Sequence, residues 1–203
     1  MIPTLEDRRQ AMLKVRDSRF LGIAIPVETE AQALQEIEAV QREHAAATHC
    51  CFAYRIGLGD TAREKAHDAG EPGGSAGAPI LSVIRGRGLG NLLVCVVRHF
   101  GGTKLGIGGL SRAYRDAAKA AIDSGSIRLR EARVQMQVRL PLSLVGEARS
   151  RVAQLGGEVQ AEEYRDAATL SLVIAASRAG ELKARLDDLT RGSALWEDKE
   201  GPA

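Results

Sequence analysis

Three segments of this 203-residue chain concentrate groups that could do chemistry: residues 70–79 (GEPGGSAGAP), the pair Arg98 and His99, and residues 101–115 (GGTKLGIGGLSRAYR). The last two set Arg98, His99, Lys104, Arg112 and Arg115 around a glycine-rich turn that leads into a predicted helix. Gly101 and Gly102 leave backbone N–H groups unobstructed, and both those groups and the helix dipole favour negative charge at a helix start. Lys104 would add a mobile point charge, and the arginines could make bidentate contacts to phosphate. The same residues also admit a plainer reading, in which the glycines only permit positive φ and close packing. The arginines are then a solvated helix face offset by Asp116 and Asp123. Local spacing leaves both readings standing.

Nucleotide cofactors are not implied. The chain has no G-x-x-x-x-G-K-[ST], and Gly106-x-Gly108 lacks the third glycine of G-x-G-x-x-G. In residues 70–79 the polar side chains are Glu71 and Ser75, with His67 and Asp68 just upstream. Glu71 or His99 could serve a hydrolase as base, but nothing in the spacing sets a nucleophile beside either. The loop is more simply read as covering a groove that Glu71 and Ser75 line. His49, Cys50, Cys51 and Cys95 hint at zinc, yet adjacent strand residues face opposite ways and no C-x-x-C pair occurs, so no metal is expected. Aromatics are only 3% of the chain. A stacking platform for bases therefore has few candidates beyond Phe52, Tyr54, Phe100 and Tyr114, and any nucleic-acid contact should be mostly to the backbone.

The elements that must position these groups are legible in outline. Residues 18–26 alternate as a strand through Leu21, Ile23 and Ile25. A helix over 28–44 follows, with Ala33, Ile37 and Val40 in one stripe. Residues 49–57 read as a second strand, and 58–79 as a glycine-rich loop without regular structure. After a short helix at 80–85, residues 91–100 (NLLVCVVRHF) are nearly all apolar, as a central strand buried on both faces should be. Residues 109–124 form a helix with Leu110, Ala113, Ala117 and Ala121 inward. Arg112, Arg115 and Lys119 line up on another face. A domain boundary is placed at Arg130. Beyond it, strands at 132–140, 158–165, 168–176 and 194–196 alternate with helices capped by Ser143 and Ser177, the succession βαββαβ.

Composition and charge bound the rest. Length suits two domains, 1–130 and 131–203, and 44% hydrophobic with 27% charged residues is a globular mixture. The N-terminus carries charges where a secretory signal needs an apolar run, so the expected location is cytoplasmic, with no membrane association. Three cysteines inside apolar runs read as reduced, buried thiols. Net charge is only +2, but residues 85–119 hold seven bases and a single acid, Asp116. That half of the chain is built to meet an anion.

The same segments resemble the IMPACT/YigZ family. Its S-R-F strand, H-x-C strand, D-G-E-P-x-G-T-A-G-x-P loop and R-Y-F-G-G-x-x-L-G-x-G-G-L-x-x-A-Y run are matched in order by Ser18-Arg19-Phe20, His49-Cys50-Cys51, GEPGGSAGAP and RHFGGTKLGIGGLSRAY. The likeness spans about residues 15 to 125, and the trailing segment is similar to the small C-terminal domain of bacterial members. The resemblance implies an α+β protein. Its first domain would share the fold of a ribosomal small-subunit protein domain and of ribonuclease PH, with a left-handed βαβ crossover. Its second would be ferredoxin-like, as in the last domain of elongation factor G. Both relatives touch RNA. Eukaryotic members regulate translation through a protein partner, using an additional N-terminal domain of their own that is not expected here, so that mechanism does not carry over directly. Ala69 stands where the family often has Asp, Ser75 replaces Thr, His99 replaces Tyr, and Arg115 occupies a position usually small.

The expectation is therefore a binding protein without catalysis or cofactor. It would contact RNA, the ribosome or a translation factor through a basic glycine-rich groove and take part in translation regulation. The competing expectation is an enzyme acting on a small phosphorylated substrate in that groove. Oligomeric state is open.

Overall fold

The computed structural model describes residues 1–197, and the stretch 198–203 of the expected second domain lies outside them. The chain divides into two compact units, Met1–Arg130 and Glu131 onward.

The first unit contains strands β1 (Ile2–Leu5), β2 (Arg9–Val15), β3 (Ser18–Pro26), β4 (His49–Ile56), β5 (Arg63–His67), β6 (Leu92–His99) and β7 (Ile127–Arg130). Its helices are α1 (Glu30–Glu43), α2 (Gly77–Gly86) and α3 (Gly106–Asp123). Five strands form one antiparallel sheet in the order β2-β3-β6-β4-β5, and β1 pairs with β7 in a separate ribbon. β6 is central, as its apolar sequence requires, and Leu92 to Val97 are fully buried. Alternation sends Leu93, Cys95 and Val97 against α1, while Leu92, Val94 and Val96 meet α2 and α3. The sheet is thus the middle of three layers.

Helix α1 starts where Thr29 accepts a hydrogen bond from the Gln32 N–H at 3.1 Å, a cap that satisfies one orphan donor. Helix α3 is seated by a missing side chain on the sheet: a Cβ on Gly22 of β3 would lie 2.2 Å from the Ala117 carbonyl oxygen. That close approach buries Leu110, Ala113, Tyr114, Ala117, Ala118, Ala121 and Ile122.

Several expectations need correction. The stretch 58–79 is not without regular structure, because β5 pairs with β4 there, from Phe52↔His67 to Ile56↔Arg63. Its sequence, REKAH, carries no apolar alternation because an edge strand is solvated and needs none. Strands β1, β2 and β7 were not expected. Helix α3 begins three residues early, at Gly106, whose φ of 71° only glycine adopts freely.

In the second unit the described elements are β8 (Arg133–Leu140), α4 (Val145–Gln154), β9 (Glu158–Tyr164), β10 (Ala168–Ala175), α5 (Ala176–Leu189) and β11 (Leu195–Glu197). The antiparallel sheet runs β11-β8-β10-β9, and both helices pack into one core around Leu170, Leu172 and Ile174. Neither serine caps its helix. Ser143 sits in a 3-10 turn ahead of α4, and Ser177 lies inside the first turn of α5, where its hydroxyl bonds Glu131. No helix among the described residues is long and apolar enough to cross a membrane.

Candidate functional site

The end of β6, the start of β4, the loop before α2 and the start of α3 meet around a hollow of about 460 Å³. Each contributes for a local reason. Arg98 and His49 are register partners on adjacent strands, so their side chains share a sheet face. Glu71 is brought in by a loop that Asp68 ties into shape: Asp68 Oδ1 accepts from the N–H groups of Ala76 at 2.9 Å and Gly77 at 2.8 Å, and Oδ2 from Gly74 at 2.8 Å. Burial alone would raise the Asp68 carboxyl, but the three N–H donors together outweigh it and hold the pKa below the ordinary value. Gly77 is required because a Cβ there would lie 2.5 Å from the His67 nitrogen.

At the floor of the hollow, Glu71 Oε1 accepts from Arg98 Nη1 at 2.6 Å and from the Tyr114 hydroxyl at 2.7 Å. His49 Nε2 stands 4.0 Å from the same oxygen, while His49 Nδ1 donates to the Ala69 carbonyl at 2.9 Å. The Glu71 and Arg98 side chains are 3% and 6% exposed, so this is a buried ion pair. The Arg98 guanidinium lies between aromatic rings, 5.4 Å from the Phe20 centroid and 5.2 Å from that of Phe100, and its Nε–H has no partner. Burial, with Cys51 and Glu71 alongside, pushes the Tyr114 phenol far above its ordinary range, so it remains a donor. Burial likewise pushes the Cys51 thiol up to about 12.

The walls are largely apolar: Pro72, Phe100, Leu105, Ile107 and Leu110, with Thr48 at the edge. Lys104 and Gly106 complete one lip. There the first turn of α3 has no side-chain cap, and the space beside Gly106 and Gly108 is open. The first N–H groups of a helix have no intrahelical partner, so this end of α3 and the Lys104 ammonium together favour an anion at the lip.

Of the residues expected at the site, Arg98, Lys104 and Glu71 line this hollow, and the others do not. Ser75 is fully buried, its hydroxyl donating to the Pro72 carbonyl at 2.6 Å, so it shapes the loop and does not line a groove. His99 follows Arg98 on a pleated strand and therefore projects from the opposite face. Gly101 is a packing glycine: its N–H donates to Ser18 Oγ at 3.2 Å, and a Cβ would collide with the Asp17 carbonyl at 1.9 Å. Gly102 adopts φ 95° with open space around it, but outside the hollow. Arg112 and Arg115, with Lys119, are exposed along α3 and form no ion pair among the described residues. Of the two acids expected to offset them, Asp123 pairs with Arg87, and Asp116 is exposed on the same helix without a salt bridge to them among the described residues. The expected convergence of all the bases in one positive hollow is thus replaced by two features: a mainly apolar hollow with an ion-paired floor, and an unpaired cation row beside it.

Sequence reasoning did not assign Tyr114, His49, Leu105, Ile107 or Leu110 to the site. A usable signal existed for Tyr114, a large aromatic interrupting the small-residue stripe Ala113, Ala117, Ala121. Among the described residues no cluster of three metal-ligating side chains occurs. Cys51 faces α2 and α3, whereas Cys50 and Cys95 lie beneath α1.

Comparison with known proteins places this geometry in a family. The Impact N-terminal domain matches residues 16–122, and a domain of unknown function, DUF1949, matches residues 138–193. An IMPACT family member of Thermus thermophilus is 38% identical over 186 residues, covering 90% of this chain and 98% of that protein. IMPACT family member YigZ of Escherichia coli is 28% identical over 181 residues, 89% of each chain. YvyE of Bacillus subtilis is 42% identical over 111 residues, 55% of this chain and 51% of its own. A crystal structure described as a hypothetical protein superposes with a TM-score of 0.74 at 26% identity, over 98% of both chains. The hollow and the α3 row both lie within the residues matched by the first domain, and the chain belongs to the IMPACT family.

Proposed function

We propose that this protein is a non-catalytic binding module that holds RNA, alone or as part of the ribosome or a translation factor complex, and thereby takes part in translation regulation. One observation carries the reading. Lys104, Arg112, Arg115 and Lys119 stand exposed and unpaired among the described residues, beginning at the uncapped start of α3 and continuing along its solvent side. Three of these bases recur at i, i+3 and i+7, so Arg112 and Lys119 are separated by about 10 Å along the helix axis. Such a row follows a phosphate backbone and carries no sequence information of its own.

Finer fold relationships belong to the same reading. The sheet order of the second unit, with both helices in one core, supports a ferredoxin-like domain similar to the last domain of elongation factor G. We infer for the first unit the fold of the ribosomal-protein and ribonuclease PH type. The second unit then adjusts docking.

The test is salt dependence. If the four bases contact phosphates, the logarithm of affinity for a single strand falls with the logarithm of salt at a slope of about −3. Each of Lys104→Ala, Arg112→Ala and Arg115→Ala should reduce that slope by about 0.7. No binding to RNA at low salt would end the proposal.

A second reading rests on a different observation, the Glu71 carboxylate buried at the floor with Arg98, Tyr114 and His49 around it. A small phosphorylated substrate could sit with its phosphate at Lys104 and the α3 N-terminus, within reach of Glu71 as base. Turnover of such a substrate, lost in Tyr114→Phe and Glu71→Gln but kept in Arg115→Ala, would favour the enzyme.

A further inference from the structure

We infer that the hollow receives one unpaired nucleotide, its base against Phe100 and the apolar walls and its phosphate at Lys104 and the open first turn of α3. The inference rests on the RNA-binding reading and specifies what this part of the site takes.

The sequence offers four aromatic residues for stacking on a base within the first unit, Phe52, Tyr54, Phe100 and Tyr114. The structure disposes of three: Phe52, Tyr54 and Tyr114 are 7%, 3% and 0% exposed. Phe100 is 45% exposed and lines the hollow. It follows the last residue of β6, and its N–H donates to Thr48 Oγ1 at 3.0 Å, which fixes the backbone that carries the ring. Behind the ring the Arg98 guanidinium sits 5.2 Å from the centroid, which supports one side of the ring and leaves the ring's exposed part for another flat group. Ile107, 65% exposed, faces the same space from α3. Exposed apolar side chains around a concavity mark a place where something apolar is received.

The charge arrangement states what must be attached to that apolar part. The Glu71 charge is met by Arg98, so the lip contributes the unbalanced charge, from Lys104 and the helix start. Arg98, which is 5% exposed, keeps a buried Nε–H without a partner among the described residues. An anion joined to a flat, mostly apolar ring fits this combination, and a volume of about 460 Å³ has room for one nucleotide but not for a base pair with its backbones. A base enters such a hollow only when it is unstacked and unpaired. The cation row on α3 would meet the phosphates that continue from the held nucleotide.

The experiment compares a short single-stranded RNA with a blunt duplex of the same sequence, by fluorescence anisotropy on the full chain at fixed low salt. The single strand should bind at least about 10-fold more tightly. Phe100→Ala should weaken it by roughly 5- to 100-fold and so remove most of its preference over the duplex, and Phe100→Tyr should restore it. Because Phe100 lies outside any strand and is half exposed, circular dichroism of the variants should match the parent. Equal affinity for both RNAs, with no response to Phe100→Ala, would overturn this inference and leave the phosphate-binding reading intact. Failure of both RNAs to bind would remove both.

Discussion

Replacing Glu71 with Gln removes one charge from a pair that water hardly reaches. With side chains 3% and 6% exposed and a 2.6 Å contact, the carboxylate compensates a guanidinium that otherwise lies between the apolar faces of the Phe20 and Phe100 rings. Surface pairs of this kind contribute about 0–1 kcal/mol, but breaking a buried pair from one side typically costs about 3–5 kcal/mol because the other charge is stranded. Gln retains a carbonyl oxygen that can accept from Tyr114 and Arg98, which argues for the lower end, about 3 kcal/mol. Amide hydrogen exchange of Val94 to Val97 in the centre of β6 reads the global opening of the first unit and avoids assuming a single two-state transition for the whole chain. Exchange there should accelerate by roughly 100-fold, and Glu71→Gln combined with Arg98→Met should recover most of the loss, since the stranded charge is gone. A Glu71→Gln variant within about 1 kcal/mol of the parent would refute the reasoning, because it would make the pair behave as a solvated one.

Three further outcomes follow from local geometry. Asp68 has its folded pKa depressed by three N–H donors, so its contribution is present above the unfolded value near 4 and fades as pH falls through the folded one. Thermal melts from pH 5 to 2 should therefore show a steeper acid loss for the parent than for Asp68→Asn, and parallel curves would count against that role. Gly22→Ala sets a Cβ 2.2 Å from the Ala117 carbonyl and should destabilise by about 1–3 kcal/mol or more in urea titration, because backbone must move. Among the thiols, Cys50 is half-buried and its pKa is lowered by a hydrogen bond with Cys95, whereas burial raises Cys51. Peptide mapping after brief native alkylation at pH 8 should find Cys50 modified first.

How much of this was legible in the sequence depended on whether a residue's role was local. β3 was bounded at Ser18 and Pro26 because its alternation is set by a buried face, and β6 declared itself through an unbroken apolar run. β5 was missed because an edge strand of charged residues leaves no hydrophobic period. The start of α3 was missed because glycines weaken any propensity signal there, and packing of Tyr114 and the alanine stripe overrides it. At the site, the glycine-rich turn before α3 and the basic side chains were visible as types. Their partners were not, since the Glu71–Arg98 and Glu71–Tyr114 contacts join residues 27 and 43 positions apart. The misreading of Arg98 as a free phosphate ligand came from that separation: a guanidinium looks free until the carboxylate that meets it is placed. His99 and Ser75 failed for a simpler reason, the pleat that turns one outward and the tight loop that buries the other.

On the proposed function, RNA meets the start and solvent face of α3 together with the adjoining hollow. Amide chemical-shift mapping of the full chain, titrated with a short single-stranded RNA at low salt, tests it most directly. Shifts should be confined to Phe100, residues 101–110 and the exposed positions of α3 from Arg112 to Lys119, all fading as salt is raised. Shifts confined to other surfaces, or none at all, would contradict it.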